Sequence, residues 1–130
     1  MNKQFTNFQK EYNLEERTVV LAENIIHLVK KVKVTPINTR IIEQVVGSGG
    51  SVGANYCEAN EAESKKDFTH KVGICKKEIK ETKHWLRLLA ASNPETREET
   101  RTLWKESQEL LLIFSSIVRS SRLSSNTNSK

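Results

Sequence analysis

Glu81 and His84 stand three residues apart in Glu81-Thr-Lys-His84, the ExxH spacing that puts a carboxylate and an imidazole on one helical face. A di-iron or di-manganese centre in a helical bundle needs two such pairs and two further glutamates. This chain has three histidines, and neither His27 nor His70 has a glutamate three residues before it. Glu81–His84 also lies off the apolar seam of its own segment. An exposed pair is expected there, and no metal or other cofactor.

Gly47, Gly49, Gly50 and Gly53 hold four of the chain's five glycines, in a run that resembles a phosphate-cradling loop. A P-loop needs Gly-Lys-Ser/Thr after its spacer, but Ala54 and Asn55 follow Gly53. A dinucleotide fingerprint counted from Gly47 meets Val52 at its last glycine. Meanwhile Ile42, Val45, Gly49, Val52, Tyr56 and Ala59 keep a three-or-four spacing straight through the run, which is a helix period. Four mid-helix glycines cost roughly 3–4 kcal/mol relative to alanine. Close packing against another helix is the expected offset, at Gly47, Gly49, Gly50 and Gly53 alike.

Nucleophilic chemistry finds little support. Cys75 falls on an apolar seam, as an inert packed thiol. Cys57 lies beside Tyr56 without a paired histidine. No CxxC exists, which excludes a zinc knuckle or a thioredoxin-type site. Asn55, Glu58, Asn60 and Glu61 cluster where a helix should end, and carboxylates there need partners. A structural role in the following turn is expected of them.

The strongest functional pattern is cationic. Lys66, His70, Gly73, Lys77, Lys80, His84 and Arg87 recur at three and four, opposite the apolar seam, with no acid in the stripe. Residues 65–87 hold eight Lys/Arg against three acids, a surplus of five, which equals the whole chain's net charge of +5. On a helix this row is roughly 30 Å long at about 1.5 Å per residue. A straight row of cations can follow a nucleic-acid backbone without reading its sequence. The competing reading is an ordinary solvated face, screened by Glu78 and Glu81.

Four helices must position these groups. The first is expected from Asn13, with Asn13 and Glu16 as a capping box, to about Val32. The second starts near Thr35-Pro36 or at Asn38 and runs to about Ala62. The third is capped by Ser64 with Asp67 and ends near Ala91. The fourth opens at Asn93-Pro94 and ends near Arg122. Their short connections predict an antiparallel up-down-up-down bundle. The third helix carries one narrow seam: Phe68, Val72, Cys75, Ile79, Thr82, Leu86 and Leu89. The first has a core seam (Thr18, Leu21, Ile25, Leu28, Val32) and a second beside it (Val19, Ala22, Ile26, Val29). The fourth is similarly wide, with Trp104, Leu111 and Val118 beside Leu103, Leu110, Phe114 and Ile117. One broad stripe suffices for a bundle core. The surplus implies either self-association or a generous core with scattered exposed apolar residues.

At 130 residues the chain is one domain, with a helical composition and a pI near 9.3. Residues 13–123 form the bundle. Residues 1–12 are an N-terminal arm or a short docked helix, and 124–130 a disordered tail. The amino terminus lacks an apolar leader and no run spans a bilayer, so a cytoplasmic protein with free thiols is expected.

Ser48, Ser51-Val-Gly-Ala-Asn55, Glu58-Ala-Asn-Glu61, Ser64-Lys-Lys-Asp-Phe68 and Lys77-Glu-x-x-Glu-Thr-Lys-His-Trp-Leu86 together resemble the four-helix-bundle proteins of the 23S rRNA intervening-sequence family. The likeness is dense over the second and third helices and looser over the first and fourth. It implies an antiparallel bundle and a ring-shaped homopentamer, as in related accessory proteins of diversity-generating retroelements. Those relatives bind nucleic acid and a reverse transcriptase through a basic surface. The family name records where some of its genes lie, and no catalytic residues come with it. Family members often carry an arginine where this chain has Gly47. The chain is therefore expected to be a non-enzymatic homo-oligomer that binds RNA or other nucleic acid through the third helix. The alternative is a protein-binding scaffold or adaptor, for instance for a reverse transcriptase, without direct nucleic-acid contact.

Overall fold

The computed structural model describes residues 12–128. Within them lie four α-helices and no strand: α1 (Leu14–Lys30), α2 (Thr39–Asn60), α3 (Lys65–Ser92) and α4 (Arg97–Asn128), with a 3-10 turn at Pro94–Thr96 before α4. Consecutive helices run antiparallel. As the α2 side moves from Asn38 to Ser48 to Val52, its hydrogen-bonded partner falls from Asn93 to Thr82 to Cys75. α4 returns along α3, where Lys83 bonds Gln108 and Thr69 bonds Ser121. Arg17 of α1 and Lys31, the residue that caps its C-terminus, pair with Glu106 and Glu99 of α4 and close the four-helix bundle.

The buried residues of α3 are the expected seam without exception: Phe68, Val72, Cys75, Ile79, Thr82, Leu86 and Leu89. They meet Leu21, Ile25 and Leu28 of α1, Val45, Val52 and Tyr56 of α2, and Leu110, Phe114 and Ile117 of α4 in one continuous core. Polar residues within it are satisfied. Thr82 Oγ1 donates to Ser48 Oγ at 3.1 Å and Ser107 Oγ to the Leu103 carbonyl at 2.8 Å. Buried Asn38 ties the two loops at one end of the bundle. Its Oδ1 accepts from the Thr35 amide, and its Nδ2 donates to the Lys33 carbonyl and to Asn93 Oδ1.

The glycine run lies inside α2, as its periodicity predicts, but it does not pack uniformly. A β-carbon at Gly49 would lie 2.5 Å from Ile25 Cδ1, and one at Gly53 3.1 Å from Thr18 Oγ1 and 3.3 Å from Thr18 Cβ. Those two positions carry the close approach of α1. At Gly47 and Gly50 a β-carbon would meet nothing within 4 Å. Close packing therefore fails as an account of Gly47 and Gly50. At about 100° per residue both turn away from the Val45–Gly49–Val52 line and face outward.

Two boundaries differ from the sequence reading. Asn13 has φ 50° and ψ 50°, with no side-chain cap bond, so the Asn13–Glu16 capping box does not form. Asparagine tolerates this left-handed conformation better than most residues. Here it links helical Tyr12 to α1, and its carbonyl accepts from the Arg17 amide. At the other end α4 continues past Arg122 to Asn128. The expectation of a disordered tail is corrected for residues 124–128. The arm at 1–11 and residues 129–130 lie outside the described residues. The Ser64 cap does form, its Oγ accepting from the Asp67 amide at 3.0 Å.

Candidate nucleic-acid interface

α3 presents Lys66, His70, Lys77, Lys80, His84 and Arg87 as exposed side chains. The helix period places them on one outward face, but three shallow grooves divide the row. Lys66, His70 and Lys77 line a groove with Arg122 of α4. Arg87 lines another with Arg97, Arg101 and Lys105 of α4. Lys80 and His84 turn the other way, toward Gln44 of α2, beside Glu81 and Trp85. His84 meets Trp85 edge-on at 4.9 Å between ring centroids, and Glu81 shares its groove. The ExxH pair is thus exposed, and the described residues contain no His/Cys/Asp/Glu cluster that could hold a metal.

The larger part of the cationic surface comes from α4, which the sequence reading missed. Arg97, Arg101, Lys105, Gln108, Leu112, Ser115, Arg119 and Arg122 recur at four and three along one helical face. Their regular spacing was a usable signal. It was obscured because α4 also carries Glu98, Glu99, Glu106 and Glu109. Structure separates the two signs. Arg17 of α1 holds Glu106 in a two-pronged pair at 2.7 and 3.0 Å and reaches Glu109 at 3.1 Å, while Lys31 holds Glu99. These hydrogen bonds, with Glu106 first, raise the Arg17 pKa further. Three of the four α4 acids, Glu99, Glu106 and Glu109, are thereby engaged on the α1 side, and the groove-lining cations of α4 are left on the α3 side.

Ion pairing elsewhere sharpens this division. Lys71 is taken up by Glu58 across the α2–α3 turn at 2.9 Å, which gives that carboxylate the partner its place at a helix C-terminus requires. Among the described residues, no ion pair neutralises Lys66, Lys77, Lys80, Arg87, Arg97, Arg101, Lys105, Arg119 or Arg122. The grooves between α3 and α4 are therefore lined by cations and by no acid among the described residues. Burial, with neighbouring Glu81, raises the pKa of Glu78, a half-buried acid beside Lys77.

Gly73 has a place in this geometry. It lines the groove with Lys66, His70, Lys77 and Arg122, and a β-carbon there would meet nothing within 4 Å. Absence of a side chain keeps that groove open to the helix backbone. The two thiols are unlike each other. Cys57 is exposed, whereas Cys75 is wholly buried, its Sγ donating to the Val52 carbonyl, and burial pushes its pKa up to about 12. It is not a nucleophile at neutral pH.

No helix among the described residues is long and apolar enough to cross a membrane. Comparison with other proteins agrees with the architecture. A crystal structure of a protein of unknown function from the S23 ribosomal protein family of Bacteroides thetaiotaomicron is similar, with a TM-score of 0.70 and 32% sequence identity over 81% of this chain and 97% of that one. None of the curated proteins matches. Residues 10–116 match the family described as 23S rRNA-intervening sequence protein, which takes in all of α1, α2 and α3 and most of α4. Over that span, with the bundle and the helix 2–helix 3 motifs in place, the chain belongs to the 23S rRNA-intervening sequence protein family.

Proposed function

We propose that this protein is a non-enzymatic, self-associating bundle that binds RNA or other nucleic acid along the α3/α4 face. One observation carries the reading: cations from two adjacent helices share that face without ion-pair partners among the described residues. A rigid cationic surface of this kind gains affinity by displacing counterions from phosphates, with no need for base contacts. Anisotropy titration of labelled RNA and DNA, with the Lys77→Glu/Arg101→Glu variant alongside, tests it. Absence of binding, or binding unchanged in the variant, contradicts it.

Self-association, with a homopentamer as the expected stoichiometry, is supported by α1. Half of the second seam stays open there: Val19 and Ile26 are each 44% exposed, whereas Val29 packs against the core. Free cysteines suit a reducing cytoplasm. A second reading, a scaffold or adaptor for a protein such as a reverse transcriptase, is favoured by Leu112. It stands 59% exposed in the middle of the α4 cations, where a phosphate backbone gains nothing from it.

A further inference from the structure

One groove on the cationic face holds an aromatic ring as well as charge. Trp104 is half-buried and lines the groove at the α3–α4 turn with Arg87, Arg97, Arg101 and Lys105. The remaining lining is small or apolar, from Leu86, Ala90 and Thr100, and no acid reaches it. The two other grooves between α3 and α4 contain cations and, in one of them, the imidazole of His70, but no indole or phenyl ring. The ring is braced from outside the groove. Lys83 sets its ammonium 4.6 Å from the indole centroid while donating to Gln108, and Lys83 does not line the groove. The indole is thus held in place between two helices, with part of its surface open to a space of about 620 Å³.

We infer that this groove takes an unpaired base of a single-stranded nucleic acid, stacked on Trp104, with the flanking phosphates on Arg97, Arg101 and Lys105. The inference rests on the nucleic-acid reading above and narrows it. A duplex hides its base faces inside its own stack, so an indole platform is useful only to an unpaired nucleotide. Stacking tolerates any base, because every base has a π-face, and a cationic rim beside an aromatic ring is the pairing that single-strand binders use.

The test uses the full chain and two labelled probes of equal length, a short single strand and the same backbone made abasic, read by fluorescence anisotropy. The base-bearing strand binds more tightly to the wild-type protein. Trp104→Leu weakens it by about 5-fold to about 100-fold, and leaves the abasic strand within about twofold. Trp104→Phe, which keeps an aromatic face, retains most of the affinity. Arg101→Ala weakens both probes. Equal affinity of the two probes for the wild-type protein overturns the stacking site even if the Leu variant fails to fold. Equal weakening of both probes by Trp104→Leu overturns it too. In either case charge-dependent binding survives, and the broader reading with it. No binding of either probe overturns both.

Discussion

The Arg17 guanidinium grips the Glu106 carboxylate through two hydrogen bonds, 2.7 and 3.0 Å long, across α1 and α4. The pair does two things. It closes the bundle between its first and last helices, and it holds an α4 acid away from the α4 cations. The geometry is bidentate and only partly exposed, so it is worth more than a typical surface pair, on the order of 1 kcal/mol. A double-mutant cycle of Arg17→Ala and Glu106→Ala, read by urea unfolding, should return a coupling of about 0.5–1 kcal/mol. Zero coupling contradicts the assignment.

The glycines of α2 should separate into two classes. Gly47→Ala and Gly50→Ala place a methyl in open space and raise helix propensity, so each should stabilise by about 0.5–1 kcal/mol. Gly73→Ala on α3 should do the same. Gly53→Ala meets Thr18, whose hydroxyl is tied to the Glu15 carbonyl at 3.1 Å, and should show little or no gain. Gly49→Leu should cost about 1–3 kcal/mol by overpacking against Ile25. Thermal melts of the five variants read this directly, and a uniform response across the set contradicts the division.

Thiol chemistry should follow burial. A thiol reagent should titrate Cys57 in the native protein and Cys75 only after unfolding. Alkaline pH tests the same burial thermodynamically. Cys75 moves from an ordinary 9.0 to about 12, so between those values the native state keeps a proton that the unfolded chain releases. Stability is fully present below pH 9.0 and falls as pH rises toward 12, at up to about 1.4 kcal/mol per pH unit. Buried Tyr56 shifts upward for the same reason and adds to the loss above its ordinary 10.0. The urea midpoint should therefore drop between about pH 8 and about pH 10, and less so in Cys75→Ala. An equal drop in that variant rules out the Cys75 contribution.

Self-association should depend on the open seam of α1. Val19→Lys with Ile26→Glu adds charge where two apolar side chains lie exposed, so it should leave the fold intact and dissociate the oligomer. Light scattering at micromolar concentration checks the mass. A wild-type protein that is already monomeric contradicts self-association through this seam.

Legibility of the sequence varied by element for physical reasons. The α3 seam could be read residue by residue because its four-three alternation is unbroken and nothing else competes for those positions. The glycine run was placed in the right helix by phase, yet phase also held the distinction that composition hid. Gly49 and Gly53 fall toward α1, whereas Gly47 and Gly50 do not. Asn13 misled because asparagine suits both an N-cap and a left-handed joint, and the choice depends on helical Tyr12 before it. The α4 cations were missed because acids and bases alternate along that helix. Which sign faces α3 is decided only when Arg17 of α1 and Lys31 at its C-terminal cap claim the glutamates. Trp104 read as core surplus for the same reason: its cationic neighbours come from both α3 and α4.

The salt dependence of nucleic-acid binding tests the central claim most directly. If about six cations of the α3/α4 face meet phosphates, log K should fall against log salt with a slope of about −4 on single strands and about −5 on duplex. Lys77→Glu with Arg101→Glu, one from each helix, should flatten that slope by about 2. A slope near zero, or a steep slope that the double variant leaves unchanged, contradicts a nucleic-acid interface on this face.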